Sequence, residues 1–219
     1  MILVNGLGSF RHFSFFRFFI LGLFLLNKHK IIVFQNYADY RWARRFLRSD
    51  VAWVPGSGGR ARLINLSSQS FTIVTRPTKL GMVKTSLLKF VGSVPIDTRF
   101  NLIGISPADL IGSGIVDNRF CALGYKEQSK VISFGGTLFV PDGYGEGIPH
   151  VMVDALVSGL PVVLTKKSYT KYGLSKLSIK AKKFHSEWVV IDPCPDVAKE
   201  SLGVEVISER YFSLLSSVS

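Results

Sequence analysis

Residues 135–165, GGTLFVPDGYGEGIPHVMVDALVSGLPVVLT, constrain the architecture more than any other stretch of the chain. Thr137–Val140 has the length and apolar character of a buried strand. It runs into a turn-rich sequence, Asp142-Gly143-Tyr144-Gly145-Glu146-Gly147. A helix over Pro149–Ser158 follows. Pro149 suits a first turn, where a missing N–H is tolerated, and Gly159 is a typical stop signal. Val162–Thr165 is then a second buried strand. Short apolar strands alternating with helices indicate an α/β fold, its parallel sheet covered on both faces.

That arrangement puts the Gly-rich turn at the carboxyl end of a strand, where open α/β sheets bind ligands. Free N–H groups at the helix start can hold a phosphate or a sugar oxygen. Glu146 in the turn and Asp154 along the helix can accept hydrogen bonds from vicinal hydroxyls. The same residues also fit a plain connector with an acid placed to favour the helix dipole.

Elsewhere the pattern predicts strands over Ile2–Val4, Ile31–Phe34, Val51–Val54, Phe71–Val74, Phe100–Ile105, Phe120–Leu123 and Val189–Ile191. Helices are expected over Ser14–Leu26, Tyr40–Leu47, Val83–Val91, Pro107–Ile111, Lys126–Ser133 and Ser208–Leu215. Pro55-Gly56-Ser57-Gly58-Gly59 is a loop, and a boundary near it divides the chain into residues 1–62 and 63–219.

Charge is unevenly placed. Of the formal net charge of +12, most comes from residues 1–62, where ten Lys and Arg face two acids. This basic, Phe-rich front points to an anionic partner: membrane lipid, a phosphorylated substrate or nucleic acid. No nucleic-acid motif accompanies it, so nucleic acid is not expected. The segment Phe13–Leu26, FSFFRFFILGLFLL, is shorter than the roughly 20 residues of a spanning helix and is interrupted by Arg17. It reads as a packed or membrane-surface helix, with a span or a secretory signal as the alternative. Cys121 and Cys194 lack metal-ligand spacing and read as free thiols of a reducing compartment. The four histidines form no metal pattern.

The run EGIPHVMVDALVSGLPVV resembles the signature of family 4 of the retaining glycosyltransferases, which have the GT-B fold of two Rossmann-like domains. That signature is E-G-x-P…E-A-x-x-x-G-x-P-V, and Glu146, Gly147, Pro149, Ala155, Gly159, Pro161 and Val162 match in register. The second acid is Asp154 where the family has Glu. Phe34-Gln35-Asn36 with Ala38-Asp39, and then Pro55-Gly56-Ser57-Gly58, resemble the family's interdomain segments. Leu123-Gly124-Tyr125 resembles the segment beside its nucleotide base. Arg76-Pro77-Thr78-Lys79 follows a strand where the family places an Arg and a Lys on the donor pyrophosphate.

The resemblance implies transfer of a hexosyl residue, with retention, from a nucleoside-diphosphate sugar to an acceptor hydroxyl, without a metal or other cofactor. UDP is the family-weighted nucleotide. Glu146 is implied to orient the donor sugar, and Arg76 and Lys79 to stabilise the leaving diphosphate together with amides near Gly147–Pro149. Lys84 is the alternative to Lys79. Gly145, Gly147, Ile148, Pro149, His150 and Tyr125 complete the implied donor site. Asp154 would grip the ribose, and its missing methylene lengthens that contact or routes it through water. Related enzymes act on lipid-linked or oligosaccharide acceptors in bacterial capsule or O-antigen synthesis. A cytoplasmic chain, peripheral at the inner membrane face and docked on anionic lipid, is therefore the expectation. Complete members carry an amino-terminal acceptor domain about as large as the donor domain. On this reading only its last portion, to about Arg62, is present, and an inactive remnant that at most binds nucleotide is the alternative.

Overall fold

The computed structural model describes residues 2–4, 31–47, 51–64, 69–134, 136–143 and 147–217, together with positions 19, 22 and 26. Apart from those three positions, the expected helix Ser14–Leu26 lies outside the described residues.

Two sheets organise the chain. Strands β1 (Ile2–Val4), β2 (Ile32–Phe34) and β3 (Val51–Trp53) form a parallel sheet in the order β1-β2-β3. Helix α1 (Tyr37–Ala43) packs on it through Tyr40 and Ala43. It starts three residues earlier than expected because the Asn36 side chain accepts from the Ala38 N–H, capping the helix. It also stops short, so that 44–46 forms a turn rather than helix.

The second sheet has seven strands. They are β4 (Phe71–Val74), β5 (Phe100–Ile103), β6 (Phe120–Gly124), β7 (Thr137–Phe139), β8 (Val162–Thr165), β9 (Lys182–His185) and β10 (Trp188–Ile191), in the order β6-β5-β4-β7-β8-β10-β9. The first five run parallel. β10 is antiparallel to both β8 and β9, so the sheet is mixed rather than wholly parallel. The reason is a hairpin: β9 and β10 are joined by a two-residue turn, Ser186-Glu187, which leaves no room for a crossover helix. β9 was not foreseen because Lys182, Lys183 and His185 are exposed and show no apolar run.

Alternation along the strands builds two cores. Phe100, Leu102, Phe139, Val163 and Trp188 point to one face, under α2 (Pro77–Val91) and α3 (Pro107–Gly112). Leu138, Val140, Val162, Leu164 and Ile191 point to the other. That face is covered by α4 (His150–Ser158), by α6 (Pro195–Leu202) and by 3-10 turns at Gln128–Phe134 and Leu174–Leu177. Phe90 stacks on Phe139 with ring centroids 3.9 Å apart, and Trp188 meets both edge-on, which gives the abundant phenylalanine a place.

The expected helix at Lys126–Ser133 is this tighter 3-10 segment. α2 begins at Pro77, six residues before the expected Val83, because Pro77 is pre-set for a first turn and Gly81 is tolerated inside the helix. α5 (Lys166–Tyr172) and α6 were not foreseen. The last helix, α7 (Val204–Ser216), starts four residues before the expected Ser208. It returns to the first sheet, where Ile207, Tyr211 and Leu214 pack with Val33 and Val54. Among the described residues, no helix is long and apolar enough to cross a membrane.

Candidate functional site

Chain order and spatial order part company between β4 and β7. From β4 the chain winds outward through β5 to β6, then returns to place β7 on the other side of β4. The segments after β4 and β7 therefore leave toward opposite faces and open a crevice at their carboxyl ends. A cavity of about 430 Å³ occupies it, within the usual range for small-ligand sites.

Its walls have distinct chemistry. Val74, Ile103, Val131, Ile132, Leu138 and Val140 give it an apolar side. Arg76 and Lys79 stand at the start of α2: Arg76 is the exposed N-cap residue, and Lys79, half-buried, lies in the first turn. No side chain caps this helix, so its N-terminal partial positive charge adds to that of the two cations. Thr75 also lines the cavity, and its buried hydroxyl has no hydrogen-bond partner among the described residues. A buried hydroxyl left unpaired is uncommon, and nothing in the sequence pattern singled out Thr75.

The opposite wall is α4. Pro149, His150 and Asp154 line the cavity, and Tyr125, 86% exposed after β6, stands at its rim. Gly159 ends α4 in the left-handed conformation at φ 80°, as the sequence predicts. The structure therefore brings Arg76, Lys79, Tyr125, Pro149, His150 and Asp154 around one space. Gly147 and Ile148 are buried beside it, Ile148 in the core beneath α4. Gly145 and Glu146 lie outside the described residues. Lys84 is not part of the cavity wall. Its Nζ donates to the Ser113 carbonyl at 2.7 Å, tying α2 to the end of α3.

The loop that follows β3 lies along α4 beside the cavity. His150, Asp154 and Ser158 stand four residues apart and so form one stripe along the helix. Each meets the loop: His150 Nε2 lies 2.6 Å from the Ser57 hydroxyl, Asp154 Oδ1 accepts from the Arg60 N–H at 2.9 Å, and Ser158 Oγ accepts from the Arg62 N–H at 2.8 Å. Arg62 Nε also lies 3.7 Å from Asp154 Oδ2. The loop needs glycine to come this close. A Cβ at Gly59 would sit 2.6 Å from Val153 Cγ1, and one at Gly58, φ +85°, would sit 2.5 Å from Val204 Cα. Asp154 is thus buried with both oxygens directed at the loop.

Behind the site, Asp142 joins three elements. Its Oδ1 accepts from Thr165 Oγ1 at 2.8 Å and Ser168 Oγ at 2.6 Å, and its N–H donates to Ser86 Oγ at 2.9 Å. α2 and the start of α5 are held to the end of β7 in this way.

Set against models of known protein families and against curated proteins, the chain matches no family model and no curated protein at a significant level. Its class rests on its own architecture: an α/β protein whose mostly parallel seven-stranded sheet is compatible with a Rossmann-like fold and carries a cavity at its topological switch point.

Proposed function

We propose that this chain carries the nucleotide-sugar-binding domain of a retaining hexosyltransferase of GT-B type. It would move a hexosyl residue from a nucleoside-diphosphate sugar to a saccharide acceptor, lipid-linked in surface-polysaccharide synthesis. The observation that carries the reading is the pairing of Arg76 and Lys79 at the open start of α2 with an apolar wall across the same switch-point cavity. Such a cavity suits a ligand with a flat, weakly polar end and a doubly charged middle. The apolar wall takes the base, and the cations take the diphosphate.

In the reaction, the bond between the anomeric carbon and the diphosphate oxygen breaks, and its electron pair leaves with the diphosphate. The acceptor oxygen forms the new bond on the same face and gives up its proton to the departing diphosphate oxygen. Charge grows on the diphosphate as the bond stretches. Arg76, Lys79 and the helix start are placed to meet that charge without reorganising. Glu146, next to Gly147 in sequence, orients the donor sugar on this reading.

The test is a calorimetric titration of UDP into the wild-type chain and its Arg76→Ala and Glu146→Ala variants. Wild type binds, and Arg76→Ala weakens binding by about ten-fold or more, the worth of one charge-assisted hydrogen bond. A folded wild-type chain that binds none of UDP, GDP and ADP overturns the reading. A second reading, nucleotide binding without transfer, is favoured by one observation: the Asp154 carboxylate is turned to Arg60 and Arg62. Binding of UDP with no hydrolysis or transfer from a panel of UDP-sugars separates the two.

A further inference from the structure

A second cleft, of about 490 Å³, lies where the two sheets' helices face each other. From α1 it is lined by Tyr37 and Arg41, and from α5 by Lys166, Lys167, Thr170 and Lys171. The spacing explains the convergence: Tyr37 and Arg41, Lys166 and Thr170, and Lys167 and Lys171 are each four residues apart and share a helix face. Arg41, Lys166, Lys167 and Lys171 therefore border one cleft, and among the described residues no acid lines it.

Among the described residues, no carboxylate pairs with Arg41, Lys166 or Lys167, all of which are exposed. Asp39, the acid within α1, is buried. Like charges four apart on one helix are unfavourable, and facing a further cation across a packed junction adds to the cost. The junction is nonetheless tight. A Cβ on Gly173, at the end of α5, would lie 2.5 Å from Tyr37 Cγ. An anion from outside supplies counter-charge to Arg41, Lys166 and Lys167, which lie close together with no carboxylate partner among the described residues.

We infer that this cleft is a second anion site, separate from the switch-point cavity, and that it takes a phosphate-bearing group of at least two charges. Arg41 supplies a planar fork that meets two phosphate oxygens, and the lysines add point charges. α5 leaves the carboxyl end of β8, which is separated from β4 by β7 alone. The two sites thus open on the same edge of the sheet, with their strand ends about 10 Å apart at the usual strand spacing. The inference stands on the cleft itself and does not depend on the nucleotide-sugar reading.

The experiment compares wild type, Arg41→Ala/Lys167→Ala, the charge-matched control Lys180→Ala/Lys183→Ala, and Arg76→Ala, each checked for folding by circular dichroism. One arm titrates inorganic pyrophosphate by calorimetry. The other measures co-sedimentation with phosphatidylglycerol vesicles against phosphatidylcholine vesicles. The Arg41/Lys167 variant loses about ten-fold or more in affinity, the scale of lost charge-assisted contacts. The control stays near wild type, and Arg76→Ala keeps the cleft's share of pyrophosphate binding. A loss confined to pyrophosphate assigns a free phosphorylated ligand. A loss on phosphatidylglycerol vesicles, alone or together with pyrophosphate, assigns a lipid headgroup. No loss in either arm, or an equal loss in the control, overturns the proposal.

Discussion

At Asp154, one methylene decides what a carboxylate reaches. The family signature has Glu here, and the resemblance implies a ribose contact. The shorter side chain instead leaves Oδ1 on the Arg60 N–H and Oδ2 at ion-pair distance, 3.7 Å, from Arg62 Nε, which is buried with no hydrogen-bond partner among the described residues. Among the described residues, Arg62 takes its counter-charge from Asp154. Removing Asp154 leaves the Arg60 N–H without its acceptor and a partly exposed guanidinium without its ion pair. Asp154→Ala is therefore expected to lower the unfolding free energy by about 2 kcal/mol in urea titration. UDP affinity, measured on the folded variant, should change less than about two-fold if the carboxylate stays turned to the loop when the ligand binds. Wild-type stability with a large loss of affinity would instead return Asp154 to the ligand. The sequence placed this residue along α4 but could not show its direction. What turns it is a loop nearly a hundred positions away, and a motif does not contain the tertiary neighbour that competes for its carboxylate.

At the scale of elements, Arg119 shows how the edge of the large sheet is held. It precedes β6. Its Nη2 donates to Asp117 Oδ2 at 2.9 Å and its Nε to Oδ1 at 3.0 Å. Nη1 donates to the Val91 carbonyl at 3.2 Å and the Pro95 carbonyl at 3.3 Å, so β6 is tied to the end of α2. The guanidinium also lies over the Phe100 ring. Hydrogen bonds from Arg119 hold the Asp117 carboxyl below its ordinary range, outweighing a smaller effect of burial. A carboxyl with a depressed folded pKa contributes stability that is complete above its unfolded value, about 3.9, and is lost as pH falls through the folded one. Wild type should lose stability progressively below about pH 4, and Asp117→Asn should show a flatter acid limb with lower stability at neutral pH. Parallel acid limbs in urea titrations across that range would remove Asp117 from the account. This network has no apolar period and was not legible in the sequence. The strands were, since Ile73, Leu102, Leu138 and Val163 sit in short apolar runs that only a covered sheet can bury. α5 and α6 escaped for the converse reason: with burial confined to Ser168 and Tyr172 in α5, and to Ala198 and Leu202 in α6, neither shows a wide apolar stripe.

Taken whole, the molecule is two sheets joined by a seam that the chain crosses twice. The first crossing is the loop Pro55–Arg62, bound along α4. The second is α7, which leaves Leu202 and Gly203 beside Gly59 and then lies on β2 and β3. Backbone bonds pair the crossings where they meet, from the Gly59 N–H to the Leu202 carbonyl at 2.8 Å and from the Val204 N–H to the Gly59 carbonyl at 3.1 Å. A sequence boundary near residue 62 assigns α7 to the second unit, whereas its apolar face covers the first. A three-stranded sheet with one small helix buries little surface for its size and depends on such cover. Ile207, 1% exposed, is the centre of that contact with Val33 and Val54, and Gln35 Nε2 donates to the Tyr211 hydroxyl beside it at 3.1 Å. Ile207→Ala should therefore cost about 2–4 kcal/mol, and the cost should fall unevenly. Hydrogen exchange at the amides of β2 should accelerate, while those of β5 and β7, enclosed between two helical layers, keep near-wild-type protection. If exchange rises equally in both sheets, the seam does not separate two units of stability, and α7 is an integral part of one cooperative fold.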